Sequence, residues 1–237
     1  MKAVVVSLVV MSMLGIGAHA QVSINLGAAD NFAVLGASGI TNVSKQTYII
    51  GDVGSYPTCT VSGLTDSQVK GDLFLDCNSL TQQAQQDLTV AYGEAAGATC
   101  TTDLSGKNLG GMRLGPGVYC FSSSAQLTGT LTLDAQGNPS AQWVFQVGGT
   151  LTTAPNSKVV LILGHWRSGE RGCNLYWQVA SSATIGSGNN FVGKILALGD
   201  ITLNGRIFRG KALTTNGAIA IAHHQRVNGP ACNGTLD

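Results

Sequence analysis

The C-terminal half of this 237-residue chain repeats itself at a short period, and that period leaves few folds open. Trp177-Gln-Val-Ala-Ser-Ser-Ala-Thr-Ile185 aligns with Ile195-Leu-Ala-Leu-Gly-Asp-Ile-Thr-Leu203 at an offset of 18. A further 18 residues on lies Leu213-Thr-Thr-Asn-Gly-Ala-Ile-Ala-Ile221. Upstream, Phe145-Gln-Val-Gly-Gly-Thr-Leu-Thr-Thr153 fits the same template at an offset of 32, with residues inserted between, and Phe121 to Leu127 is a looser copy. Each copy holds two short strands of alternating polarity, joined by a corner of small residues such as Gly148-Gly149 or Ser181-Ser182. Such a period is too short for most helical repeats. It suits a β-helix coil of three short strands and three corners. One coil cannot bury its own apolar side. Stacked coils can, with rungs about 4.8 Å apart.

One segment departs from the pattern. Between Ser79 and Ala96, apolar residues fall at Leu80, Ala84, Leu88, Ala91 and Ala95, the spacing of a helical stripe. Asn78 or Ser79 caps its start and Gly97 ends it. Such a helix must bury its stripe against the outside of one β-face. Trp143-Val144-Phe145 and Tyr176-Trp177 are apolar on both sides, as strands covered twice are, and the helix is expected over them.

Alternation sorts the second strand of each copy into inward and outward residues. In Ala183-Thr184-Ile185 and Ile201-Thr202-Leu203 the aliphatic residues belong to the core. The outward column is then Thr152, Thr184, Thr202 and Ala220. Two residues earlier runs a second column, Thr150, Ser182, Asp200 and Ala218. Two residues later runs a third, Ala154, Gly186, Asn204 and Ala222. Threonine is a favoured strand residue, and Thr ladders stabilise sheets without any further role. The scarcity of charge is what sets this surface apart, because an exposed sheet normally carries charges against aggregation.

The low charge holds for the whole chain. Only 11% of residues are Asp, Glu, Lys or Arg, and the net charge is +1. Nucleic acid and acidic membranes are therefore not expected partners, because binding them needs a strongly basic patch. Met1-Lys2, the apolar run Ala3 to Leu14 and Ala18-His19-Ala20 form a secretory leader. Residues 1–20 are therefore expected to be removed, leaving 21–237 as one exported, extracellular domain, with no membrane span and as a monomer. Six cysteines, Cys59, Cys77, Cys100, Cys120, Cys173 and Cys232, fit disulfides in an exported chain. Several connectivities are open, and the expectation adopted is 59–77, 100–120 and 173–232. Asn42 and Asn233 begin glycosylation sequons.

Catalytic constellations are thin. His165, His223 and His224 are the histidines beyond the leader, and the His223-His224 pair reads as an exposed turn. Asp52, Asp72 and Asp200 each follow a glycine, which marks corners where Asp bonds the backbone, although paired carboxylates also serve glycosidases. No G-x-S-x-G or H-E-x-x-H is present. No enzyme activity, metal or cofactor is expected.

The chain resembles the microbial secreted ice-binding (antifreeze) protein family. The resemblance runs from about Leu26 to Pro230. It is carried by Leu26-Gly-Ala-Ala-Asp-Asn-Phe-Ala-Val-Leu35, Gly51-Asp-Val-Gly54, Ala91-Tyr-Gly-Glu-Ala-Ala-Gly97, Gly115-Pro-Gly-Val-Tyr119, Leu127-Thr-Gly-Thr-Leu-Thr-Leu-Asp134, Trp143-Val-Phe-Gln-Val147 and Trp177 to Ile185. It implies an irregular right-handed parallel β-helix of roughly triangular section with the helix alongside, and N- and C-terminal coils stacked on each other. It also implies an ice-binding face on Thr41, Gln126, Thr152, Thr184, Thr202 and Ala220, with Ser62 a weaker position. The first column derived above holds four of these. Threonine suits ice, since its hydroxyl anchors a water while the branched Cβ keeps χ1 stiff. The rival reading is a non-catalytic polysaccharide-binding or adhesin module using the same face. Sugar binding favours exposed aromatics, and with Trp143 and Trp177 buried by pattern only Trp166 and Tyr48 are free for it.

Overall fold

A computed structural model describes residues 22–164, 172–222 and 225–229. All paired strands run parallel, in one 14-stranded and one 7-stranded sheet. Together they wrap a three-faced β-helix with the 18-residue helix α1 (Ser79–Ala96) packed alongside. The 7-stranded face, called the flat face below for its unbroken register, is made of Ala125–Leu127, Leu151–Thr153, Ala183–Ile185, Ile201–Leu203, Ile219–Ile221, Ile40–Asn42 and Val61–Ser62, in that spatial order. Among the described residues, no helix is long and apolar enough to cross a membrane.

Coil order is discontinuous, as the resemblance implied. Ile219–Ile221 pairs with Ile40–Asn42, so the N-terminal coils stack directly on the last C-terminal one. The same seam recurs on the other faces, where Val34 pairs with Ala212 and Arg226 with Tyr48. The chain then leaves one end of the stack near Cys77 and resumes near Thr102–Asp103 at the other. α1 covers that distance.

Two cores hold the layers together. Inside the coils the aromatic ladder Tyr119, Phe145, Trp177 and Phe191 stacks rung on rung, with Phe145 and Trp177 ring centroids 4.1 Å apart. The indoles of Trp143 and Trp177 donate to the Leu114 and Val192 carbonyls, which satisfies them inside the core. Outside that sheet, Ala84, Leu88, Ala91 and Ala95 of α1 pack on Val144, Tyr176, Leu196, Leu213 and Leu35. The helix therefore lies over the strands expected to be apolar on both sides. Its bounds and its Asn78 and Gly97 caps also agree with the sequence reading. One stripe residue does not. Leu80 is 37% exposed and the buried position is Thr81, whose hydroxyl accepts the Asn78 N–H and closes a capping box. Glutamines fasten the helix to the sheet. Gln146 donates to the Ala95, Ala96 and Ala98 carbonyls at its C-terminus, and Gln85 donates to those of Thr214 and Thr215.

Corners must let coils approach closely. A Cβ on Gly217 would run into the Gly199 backbone of the neighbouring coil, and one on Gly149 into Ser124. Disulfides tie both ends of the helical crossing. Cys59–Cys77 precedes α1 and Cys100–Cys120 follows it, with Cα atoms 5.0 and 5.9 Å apart. Cys173 is disulfide-bonded too, and Cys232, the partner expected for it, lies outside the described residues. The leader, His165, Trp166, Glu170, His223, His224 and Asn233 also lie outside them. Asn42, which begins a sequon, has a structural role. It is 5% exposed and turned inward. Its amide nitrogen donates to the Ser44 and Gly63 carbonyls and its oxygen accepts from Thr47. In the folded chain the Asn42 amide is engaged in these bonds and is not presented to solvent.

A charged cluster buried at the seam escaped the sequence reading. Lys194 and Lys211 sit on adjacent rungs with side chains 5% and 2% exposed, and share Asp30 at 3.1 and 3.6 Å. Lys211 also donates to the carbonyls of Asp30 and Phe32, and Lys194 lies 5.2 Å from the Tyr176 ring centroid. Asp30 belongs to the short 3-10 helix Gly27–Asn31, so these contacts pin the N-terminal segment onto the C-terminal coils. Burial alone would raise the Asp30 carboxyl, but the two lysines outweigh it and hold it below its ordinary value. Burial pulls Lys211 down to about 8, against the opposing pull of Asp30.

Asp30→Asn leaves two ammonium groups buried without a counter-charge. It is expected to cost on the order of 3–5 kcal/mol in denaturant unfolding, with part recovered by adding Lys211→Met. A lowered carboxyl stabilises the fold above its unfolded pKa, and that share is lost as pH falls through the folded one. The Asp30 contribution to stability should therefore be complete above about pH 4, decline as pH falls from there through the lowered folded pKa, and be missing from Asp30→Asn. For Lys211 the depressed pKa means stability rises as pH climbs from about 8 to its ordinary 10.5. Urea titrations across both windows check the signs.

Candidate functional site

Six strands of this face are three residues long, and each buries its outer two residues and turns the middle one outward; the seventh, Val61–Ser62, turns Ser62 outward. These outward residues stand in direct register as Gln126, Thr152, Thr184, Thr202, Ala220, Thr41 and Ser62. An isolated bridge adds Asn108 beyond Gln126. The four positions derived from the repeat are thus one column. The three drawn from the resemblance extend it at both ends, with Thr41 crossing the seam.

The second column also forms. Backbone bonds run from Ala125 N–H to Thr150, Leu151 to Ser182, Ala183 to Asp200 and Ile201 to Ala218, then onward to Gly39 and Thr60. Thr150, Ser182, Asp200 and Ala218 therefore flank the first column, one strand repeat of about 6.7 Å away. The third column does not continue as an open row. Gly186 is buried, and its N–H is taken by the inward hydroxyl of Thr153 at 2.9 Å. The chain is already turning there into the next corner.

Register shifts interrupt the other sheet near Phe32/Val34 and Phe191/Gly193. None occurs between the strands of the flat face, so its side chains keep an even spacing. Among the described residues, the hydroxyls of Thr152, Thr184 and Thr202 make no hydrogen bond to protein and are left for solvent. Two hydroxyl pairs lie at opposite ends: Thr150 donates to Ser124 at 2.9 Å, and Ser62 to Thr41 at 3.4 Å. Branching at Cβ limits each threonine to few χ1 states, so the array is stiff.

Asp200 is the one charged group in the two columns. Its Oδ1 accepts the Ala218 N–H of the neighbouring coil at 2.8 Å. Asp52 does the same for Asp72 N–H at 2.9 Å, at the far end of the stack. The Gly-Asp pairs are corner devices as read from sequence, but they bond the next coil rather than their own turn. Burial, with the Asp72 carboxylate adding to it, raises the Asp52 carboxyl against the lowering by the Asp72 N–H. Asp200 belongs to the flat face, a different corner from Asp52 and Asp72, so the three aspartates do not converge. Among the described residues no group of three His, Cys, Asp or Glu is placed to hold a metal.

Sequence reasoning missed Asn108, Ser124 and Thr60 as extensions of the columns. Asn108 carried a faint signal, since Lys107-Asn108-Leu109 lies 18 residues before Ala125-Gln126-Leu127.

A discontinuous β-helix with a strutting helix and one bulge-free, nearly uncharged face defines a class of small-residue surface binder. The comparisons with known proteins agree with that class. The family model described as ice-binding-like matches residues 34–227, and the chain belongs to that family. An ice-binding protein of Nostoc sp. (strain HG1) is 42% identical, over 92% of this chain and 79% of that relative. One from Flavobacterium frigoris (strain PS1) is 33% identical, over 81% and 73%. Among solved structures, an ice-binding protein from an Arctic yeast, described for its antifreeze activity, superposes with a TM-score of 0.79. It is 31% identical and covers 90% of this chain and 96% of that one.

If Asp200 serves the corner, Asp200→Asn keeps an acceptor for the Ala218 N–H and should leave unfolding stability within about 0.5 kcal/mol of native. Asp200→Ala should lose about 1 kcal/mol. Paired chemical denaturation curves distinguish them.

Proposed function

We propose that this chain adsorbs to ice through the flat face, and by doing so lowers the temperature of crystal growth and slows recrystallisation. The observation that carries this is the unbroken column from Gln126 to Ser62. It is evenly spaced and lacks charge, and among the described residues the hydroxyls of Thr152, Thr184 and Thr202 have no partner in the protein, while that of Thr41 accepts from Ser62. Each hydroxyl holds a water while its methyl leaves neighbouring waters to bond one another. Repeated about every 4.8 Å along the stack and about 6.7 Å across it, these waters form a patch already ordered before ice arrives. The stiff side chains lose little entropy on adsorption. A crystal front pinned at such patches must bulge between them, and the curved surface grows only at lower temperature. Thr41, Thr152, Thr184 and Thr202 are the principal anchors, flanked by Thr150, Ser182 and Ala218. Ala220 leaves a methyl-lined gap, and Gln126 reaches further out at the edge.

The names of the relatives support the target. The leader-like Met1 to Ala20 and the disulfides support an exported, extracellular protein. For the rival sugar-binding reading, the flat face lacks the aromatic platform that pyranose rings stack on.

Thr184→Tyr or Thr202→Tyr places a bulky ring in the middle of the array. Either is expected to remove most of the thermal hysteresis and recrystallisation inhibition while leaving the unfolding midpoint unchanged. Full retention of both activities in a folded variant would move the ice-binding surface elsewhere.

A further inference from the structure

The face that follows the flat one around the corner carries a different chemistry. Its outward column runs Thr130, Lys158, Asn190, Arg206, Arg226 and Tyr48 over consecutive rungs. All six are exposed. Among the described residues no carboxylate lies within ion-pair distance of Lys158, Arg206 or Arg226. Among the described acids, Asp87 and Glu94 lie on α1, which carries no Lys or Arg, Asp30 pairs with Lys194 and Lys211, Asp134 pairs with Arg113, Asp52 and Asp200 bond corners, and Asp66, Asp72, Asp76 and Asp103 form no ion pair with the column.

Like charges side by side on a ladder cost stability. Arg206 and Arg226 are such neighbours, in a chain with only 13 Lys and Arg. The column is also held in place. The Arg226 guanidinium lies 5.6 Å from the Tyr48 ring centroid and its Nε donates to Asn228 at 3.2 Å. Three cations in single file over about 14 Å fit a thread of negative charge better than a plane of it. The neutral members of the column, Thr130 and Asn190, add hydrogen-bonding groups suited to hydroxyls, and Tyr48 adds an exposed ring at its end.

We propose that this column binds a linear anionic polysaccharide, one bearing carboxylate or sulfate groups. The polymer lies along the stack with its acidic groups on Lys158, Arg206 and Arg226, and a sugar ring over Tyr48. The site is separate from the seven-stranded face and polysaccharide binding there does not rest on ice adsorption; a bridge between ice and an acidic extracellular matrix rests on both readings.

The test measures binding of the intact protein to alginate, to neutral dextran, to double-stranded DNA and to phosphatidylserine vesicles, at low and high salt. Alginate is expected to bind at low salt and release at high salt, dextran not at all, and DNA and vesicles more weakly than alginate. Arg206→Ser with Arg226→Ser should weaken alginate binding about tenfold and leave thermal hysteresis unchanged. Tyr48→Ala should weaken alginate binding without altering its salt dependence. Absence of alginate binding overturns the proposal, as does binding that the double variant does not change. Equal or tighter binding to DNA or vesicles overturns it too, since that reports net charge alone. Loss of hysteresis in Thr184→Tyr with alginate binding intact separates the two surfaces.

Discussion

Everything on the outside of this molecule is positioned by the parallel hydrogen-bond ladder between coils. A ladder in strict register converts a sequence offset into a spatial column, so residues a coil apart stand about 4.8 Å from one another. The register is kept by what lies beneath. Aliphatic residues such as Ala183, Ile201 and Ile219 fill the interior on each rung, and corners such as Gly199 and Gly217 admit no side chain between coils. A slip of one residue would turn the threonines inward and the aliphatics out, which the core forbids. The evenness of Thr152, Thr184 and Thr202 therefore comes from residues that never touch solvent.

Much of this was legible in the chain itself. The repeat offset placed Thr152, Thr184, Thr202 and Ala220 in one column, and the stripe with its caps located α1 to the residue. Two disulfides joined the cysteines nearest in sequence, because each closes a short excursion at one end of the stack. What stayed hidden was long-range. Nothing local in Asp30 announces that it will meet Lys194 and Lys211 from the far end of the chain. The inward turn of Asn42 depends on a carbonyl of the following coil, and Leu80 lost its buried place to Thr81 through a capping bond that periodicity ignores. The seam between Ile219–Ile221 and Ile40–Asn42 came only from family resemblance, since a stack offers no local signal for which coils are neighbours.

The three faces divide the chemistry of the surface. One is covered by α1 and joined to it by an apolar layer edged with glutamines. The second is bare, flat and almost without charge. The third carries the exposed column of Lys158, Arg206 and Arg226. In a chain this poor in charge the division follows from alternation and coil length, which return each outward position to the same face on every rung, even where Asn190–Ala197 and Arg206–Thr214 run on from the third face onto the helix-covered one.

α1 is about 27 Å long, nearly the span of the seven-stranded face at about 29 Å. It has that length because the chain must return from one end of the stack to the other before building the remaining coils. The order of synthesis is consequently not the order of assembly. The two N-terminal coils emerge first and wait, with one edge open, for a partner that is made last. Loop closure across nearly the whole chain is needed before the rows join. The continuous lattice of this face is thus a late product of synthesis, since no nascent fragment that stops short of Ile219–Ile221 contains both sides of the seam.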